Sequence, residues 1–220
     1  MSEAAYTQIL NICAGFFLLA AVGMLSRRQF AGMIRLYAAQ GLALAAIVTV
    51  LGIREGSVEL LAAAVGLVIL RVLVLPALAR RALGAALHNR RETSPAVSIA
   101  GSLLASAALV LVAYAVARPL IALDPSATTA VLPIALSVVL IGLFALTTRH
   151  NALSQVIGFL LLDNGITATA FLATSGVPLI VELGVSFDVL LIVVVLTLLT
   201  VRLQAMFGTT DLDGLRELRD

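Results

Sequence analysis

Seven apolar runs, each about as long as a bilayer is thick, alternate with short polar breaks along this chain. They cover residues 8–25, 34–52, 60–79, 97–117, 127–147, 154–174 and 178–203. About twenty apolar residues in a helix cross the hydrocarbon core. Backbone amides find no water there, so each run must close its own hydrogen bonds, which a helix does within one segment. The runs mostly lack the alternation of a barrel strand. The expectation is therefore an all-α, polytopic membrane protein of about seven transmembrane helices. Composition agrees: 61% of residues are hydrophobic and 12% charged, where a soluble domain has about 25% charged.

The breaks are made of charge, proline and glycine. Arg27-Arg28 ends the first run, Arg54-Glu55-Gly56-Ser57 parts the second from the third, and Arg80-Arg81 ends the third. Ser94-Pro95 and Asp124-Pro125-Ser126 open the fourth and fifth, with proline near the first turn, where its missing N–H does no harm. Pro133, early in the fifth run, is expected to bend it. Ser175-Gly176-Val177-Pro178 makes a tight hairpin before the last.

All fourteen basic residues are arginine, and their placement sets the topology. Arg27, Arg28, Arg35, Arg80, Arg81, Arg90, Arg91, Arg149, Arg202, Arg216 and Arg219 fall on one side. Arg54 and Arg118 fall on the other, and Arg71 lies inside a span. The N-terminus is thus expected outside and the C-terminus in the cytoplasm. The chain divides into the first four helices (1–126), a three-helix unit (127–203) and a cytoplasmic tail (204–220).

Several classes are set aside. No basic run with interleaved aromatics marks a nucleic-acid surface. One cysteine, Cys13, and two histidines are too few for a structural zinc or iron–sulfur site, so no metal and no cofactor is expected. The first run lacks a basic leader and a small-residue cleavage site, and is read as a retained span.

Three acids stand inside the apolar runs: Asp163 in LLLDNG, and Glu182 and Asp188 in PLIVELGVSFDVLLIVV. A carboxylate at mid-bilayer costs about 2.5–3.5 kcal/mol, so three unpaired ones would cost on the order of 7–10 kcal/mol. Asp163 lies near the middle of its run. Thr167, Ala170 and Thr174 follow at i+4, i+7 and i+11, on one face, and Gln155 lies two turns earlier. That stripe must face protein or water. A protonated Asp163 bonding to a neighbouring helix is the alternative to a chemical role. Asp188 is also central. Glu182 is shallower, and reads equally as a helix-end carboxylate near the positive dipole.

Arg71 is the internal cation, in LVILRVLVLP. It lies nine residues before Arg80, roughly 13 Å deep at helical rise. It either snorkels to the cytoplasm or pairs with Asp188 or Asp163. With one arginine against three acids, at least one acid is expected to be neutral at rest, because desolvation disfavours charge. Such a group suits a proton relay. Without lysine, that duty could also use His150, at the cytoplasmic end of the fifth run and of suitable acidity, though a histidine without a role fits there too.

Weaker signals remain. Ser98, Ser102 and Ser106 form a small-residue packing stripe. Asn11 and Gln40 could bond between helices. Gln40-Gly41 sits in the second span about where Asn164-Gly165 sits in the sixth, which suggests an internal repeat of helix triplets, although two apolar triplets can match by chance.

The second half, through TRHNALSQVIGFLLLDNG, the mid-helix acid in VSFDVLLI, VRLQ and TTDLDGLREL, resembles the three-helix NuoK subunit family of complex I. With the added helices in front and DNGI, SGVPLIVELG and FGTTDLDGLREL, the whole chain is similar to the hydrogenase-4 component E family. The resemblance implies a non-catalytic membrane subunit beside antiporter-like subunits and a peripheral hydrogenase or redox module. Asp188 takes the place of the last-helix acid, one methylene shorter. The preceding family acid falls on Leu160, one turn before Asp163. The resemblance therefore implies proton-relay roles for Asp163 and Asp188, with Glu182, Arg71 and His150 as accessory groups. The alternatives are a purely structural subunit and a cation/proton antiporter component.

Overall fold

The computed structural model describes residues 2–87, 97–149 and 152–174, together with Ile192. The regular elements among them are helices. They are α1 (Glu3–Leu25), α2 (Phe30–Glu55), α3 (Val58–Leu67), a π-helical segment (Val68–Val74), α4 (Leu75–Leu87), α5 (Ile99–Leu123), a 3₁₀ turn (Thr129–Val131), α6 (Leu132–Thr148) and α7 (Ala152–Thr174). Six rods among the described residues are long and apolar enough to cross a membrane, α3 to α4 counting as one (Val58–Arg81). This is an all-α polytopic membrane protein. The seventh run, 178–203, and the tail after it lie outside the described residues.

Local chemistry explains the boundaries. Ser2 caps α1 and Ser57 caps α3, each accepting a hydrogen bond from a first-turn amide. Gly56 closes α2 with φ 65°, a left-handed conformation that glycine adopts without a Cβ clash. Ser98 caps α5 through the Gly101 amide, so the serine stripe begins as a cap and continues as packing: Ser102 and Ser106 are buried. Before α6, Ser126 and Thr129 exchange amide-to-hydroxyl bonds of 3.0 and 3.2 Å, a reciprocal cap.

One sequence expectation about proline changes. Pro133 stands in the first turn of α6, after the 3₁₀ turn, where no carbonyl four residues back awaits a donor; it starts the helix and does not bend it. Pro119 stands inside α5, since the fourth span runs past the expected end at residue 117 to Leu123, and Pro76 stands inside the third rod.

The helices alternate in direction. At one end Glu3 of α1 pairs with Arg54 of α2, whose guanidinium also lies 5.1 Å from the Tyr6 ring centre. The Tyr6 hydroxyl meets Thr128 Oγ1 at 2.7 Å. At the opposite end Arg149, following α6, donates to the Leu25 carbonyl of α1 at 3.0 Å. The described arginines therefore segregate as read from the sequence, with Arg27, Arg28, Arg35, Arg80, Arg81 and Arg149 at one end.

The core runs through α1, α2, α6 and α7 and includes Leu10, Phe17, Leu44, Ile141 and Phe171. The α6–α7 pair is the most closely packed. A Cβ on Gly142 would fall 2.6 Å from the Leu162 backbone, and one on Gly165 2.6 Å from the Val139 amide. Small residues let membrane helices approach in this way. Outward faces carry Phe16, Leu19, Leu104 and Leu111, all exposed, as lipid contact requires.

Candidate functional site

Asp163 is the middle residue of α7, and Arg71 lies near the middle of the third rod. Both are buried, and they meet. The Arg71 guanidinium pairs through Nη1 with Asp163 Oδ2 and donates from the same nitrogen to Asn164 Oδ1. Its Nη2 donates to Thr167 Oγ1 at 2.7 Å. Asp163 and Thr167 are four residues apart and Asn164 is adjacent, so α7 presents three acceptors to one planar fork. Of the two fates open to Arg71, snorkelling and pairing, the structure adopts pairing, with Asp163 as partner.

The backbone around Arg71 serves this arrangement. Val68–Val74 is π-helical, and Arg71 is the one residue of that segment buried in the protein. A π turn widens the helix and redirects a side chain relative to the α-helical register, and such turns recur at functional sites. Gly41 of α2 lies against it: a Cβ there would come 3.1 Å from Arg71 Cβ and 3.3 Å from the Arg71 carbonyl. Glycine thus lets α2 lie directly on the widened turn.

From Arg71 the polar chain extends to α2. Arginine only donates, so Asn164 must turn Oδ1 toward it. Its Nδ2 then donates to Gln40 Oε1, at 2.9 Å. Gln40 is wholly buried at mid-height of α2. Tyr37, one turn away on the same helix and also buried, lies within electrostatic range of both Arg71 and Asp163. Three rods therefore meet at mid-membrane through Gln40, Arg71, Asp163, Asn164 and Thr167.

The expected stripe on α7 divides. Asp163 and Thr167 join the cluster. Thr174 bonds the Ala170 carbonyl of its own helix, and Gln155 donates to the Arg149 carbonyl at the arginine-rich end. The apparent repeat of Gln40-Gly41 and Asn164-Gly165 also has a direct meaning: the two amides bond to each other, and each following glycine admits a close neighbour. Tyr37 was not singled out from the sequence, although its i−3 relation to Gln40 could have marked it. Asp188, Glu182 and His150 lie outside the described residues. Among the described residues, no group of three or more histidine, cysteine or acidic side chains could hold a metal ion.

This constellation can hold a charge pair in a dry interior, fix amide orientations through donor-only arginine, and couple movement of α7 to α2 and the third rod.

Comparison with known proteins places the whole chain. It is 50% identical over its full 220 residues to an uncharacterized protein of Mycobacterium tuberculosis, covering all of both chains. It is 27% identical over 217 residues to hydrogenase-4 component E of Escherichia coli K12, covering 97% of this chain and 98% of that one. Hydrogenase-4 component E of Shigella flexneri matches to the same extent. No family model matches the chain, and no solved structure matches it significantly.

Proposed function

The chain belongs to a family with the mycobacterial protein in which hydrogenase-4 component E is a distant full-length member, and we propose that it is a membrane subunit of a hydrogenase-like complex whose buried Arg71–Asp163 cluster contributes to a transmembrane proton pathway. It carries no catalytic centre of its own in this reading. Its partners are antiporter-like membrane subunits and a peripheral hydrogenase or redox module, in the cytoplasmic membrane.

The observation that carries the reading is the ion pair between mid-membrane residues of two separate rods. Charged groups at that depth are costly and mark ion or proton paths in membrane proteins. The pair continues through Asn164 to Gln40, giving a polar line across the bundle rather than a single contact. Asp188 is proposed as the next carboxylate of the relay, with Glu182 and His150 toward its ends.

A second reading is a structural latch. Its support is that Asp163, Asn164 and Thr167 all accept from one arginine, which would secure α7 even if no proton moved.

Isolation of the native assembly in mild detergent tests the subunit role. Antiporter-like subunits with a nickel- or iron–sulfur-containing module should copurify with the chain. A chain recovered alone under conditions that keep other membrane assemblies intact would contradict it. Asp188→Asn should lower electron-driven acidification of vesicles; unchanged pumping would remove Asp188 from the path.

A further inference from the structure

The cluster's hydrogen bonds to Asp163, Asn164, Thr167 and Gln40 leave out a titratable neighbour, Tyr37 of α2. Tyr37 is only 1% exposed, and its phenol lies within electrostatic range of both the Arg71 guanidinium and the Asp163 carboxylate. Its hydroxyl closes no hydrogen bond with a described residue. Its neighbours on the helix fix its place. Gln40, one turn on, bonds Asn164, the residue that follows Asp163, and Gly41, four residues on, lies against the Arg71 backbone. Tyr37 therefore stands on the face of α2 that meets both α7 and the third rod. It lies about 4.5 Å closer to the arginine-rich end than Gln40, at helical rise.

The amide line that joins α7 to α2 cannot itself move a proton. Amide groups keep both hydrogens while they exchange hydrogen-bond partners, and arginine does not lose its proton in a protein. Asn164 and Gln40 thus fix geometry, and Arg71 fixes charge. Passage of a proton between Asp163 and α2 needs a group that accepts one and releases another. A phenol does both, and tyrosine is among the side chains that carry protons in acid–base steps, directly or through one water.

We propose that the Tyr37 hydroxyl is the group through which Asp163 exchanges protons on the α2 side. The inference rests on the proton-pathway reading of the cluster. In the loading step a hydronium ion gives a proton to the phenol oxygen as the phenol O–H proton passes to the Asp163 carboxylate. The hydronium becomes water, Asp163 becomes the neutral acid, and Tyr37 ends as it began, a neutral phenol. Release runs the same transfers in reverse. Arg71 keeps acceptors throughout, because Asn164 Oδ1 and Thr167 Oγ1 still receive its N–H groups while the acid is neutral.

The test is Tyr37→Phe in the assembled complex, beside the double variant Arg71→Met, Asp163→Leu. Phenylalanine removes the hydroxyl and keeps the ring. The thermal midpoint of the purified full-length chain should hold or rise, because no described hydrogen bond is lost and a buried polar atom is removed. Electron-driven acidification of vesicles should fall at least five-fold with the complex still intact. Undiminished acidification with Tyr37→Phe, where the double variant blocks it, would overturn the role of Tyr37 and leave the proton path standing. Undiminished acidification in both would overturn the path and this role together. A lowered midpoint, or a complex that no longer assembles with Tyr37→Phe, would mark the hydroxyl as structural and overturn the role as well.

Discussion

Arg71 has lost nearly all contact with water, and Asp163, Asn164 and Thr167 of α7 accept from its guanidinium. Removing one member of a buried ion pair leaves the other uncompensated, at about 3–5 kcal/mol. Asp163→Ala should therefore destabilise the protein in detergent by that amount, measured by reversible unfolding. Replacing both members by apolar residues of similar bulk, Arg71→Met with Asp163→Leu, should recover most of the loss, since well-packed hydrophobic substitutes for buried pairs are often neutral. Asn164→Ala would strip Arg71 and Gln40 of one partner each and should cost about 1–3 kcal/mol. In the sequence, Asp163 and Arg71 were conspicuous because charge in an apolar run needs a partner. Which acid the arginine would choose was open, because pairing depends on the azimuth of two distant helices. The one cue to the π turn that sets Arg71's azimuth is the proline that ends LVILRVLVLP: Pro76 has no N–H to donate to the turn before it, so the helix there must adjust.

Helices dock here through glycines. A Cβ at Gly142 or Gly165 would overlap backbone atoms of the facing helix, and backbone cannot rotate aside as a side chain can. Gly142→Ala should cost about 1–3 kcal/mol by overpacking, as should Gly165→Ala. Gly15→Ala in α1, where nothing lies within 4 Å, should be neutral or slightly stabilising, since alanine favours helix. Thermal unfolding of the three variants side by side checks this. The helices themselves were legible, because length and hydropathy decide them. Their ends were less so. Hydropathy falls at Arg118 and Pro119 although α5 continues to Leu123, and it stays high through residues 127–131 although α6 begins at Leu132. Hydrogen bonding sets those ends, through the Ser126–Thr129 cap before α6.

Across the whole molecule, arginine placement and helix antiparallelism agree, so orientation is open to a direct check. Ser26, at the arginine-rich end of α1, and Ser57, between α2 and α3, lie at opposite ends. With Cys13 replaced by serine, Ser57→Cys should react with a membrane-impermeant thiol reagent in intact cells. Ser26→Cys should react only once the cytoplasmic face is opened. The reverse pattern would invert the topology. The full-length relation to hydrogenase-4 component E and the mid-membrane cluster together support a membrane subunit with a proton path. The structural latch is the rival account, and stability alone does not separate the two. The Arg71→Met, Asp163→Leu protein does, because it keeps the packing while removing the charge. The decisive measurement is electron-driven acidification in vesicles carrying the assembled complex with that double variant. Proton translocation should fall at least ten-fold while the complex still copurifies intact; undiminished translocation by an intact complex would contradict the account and leave the cluster a latch.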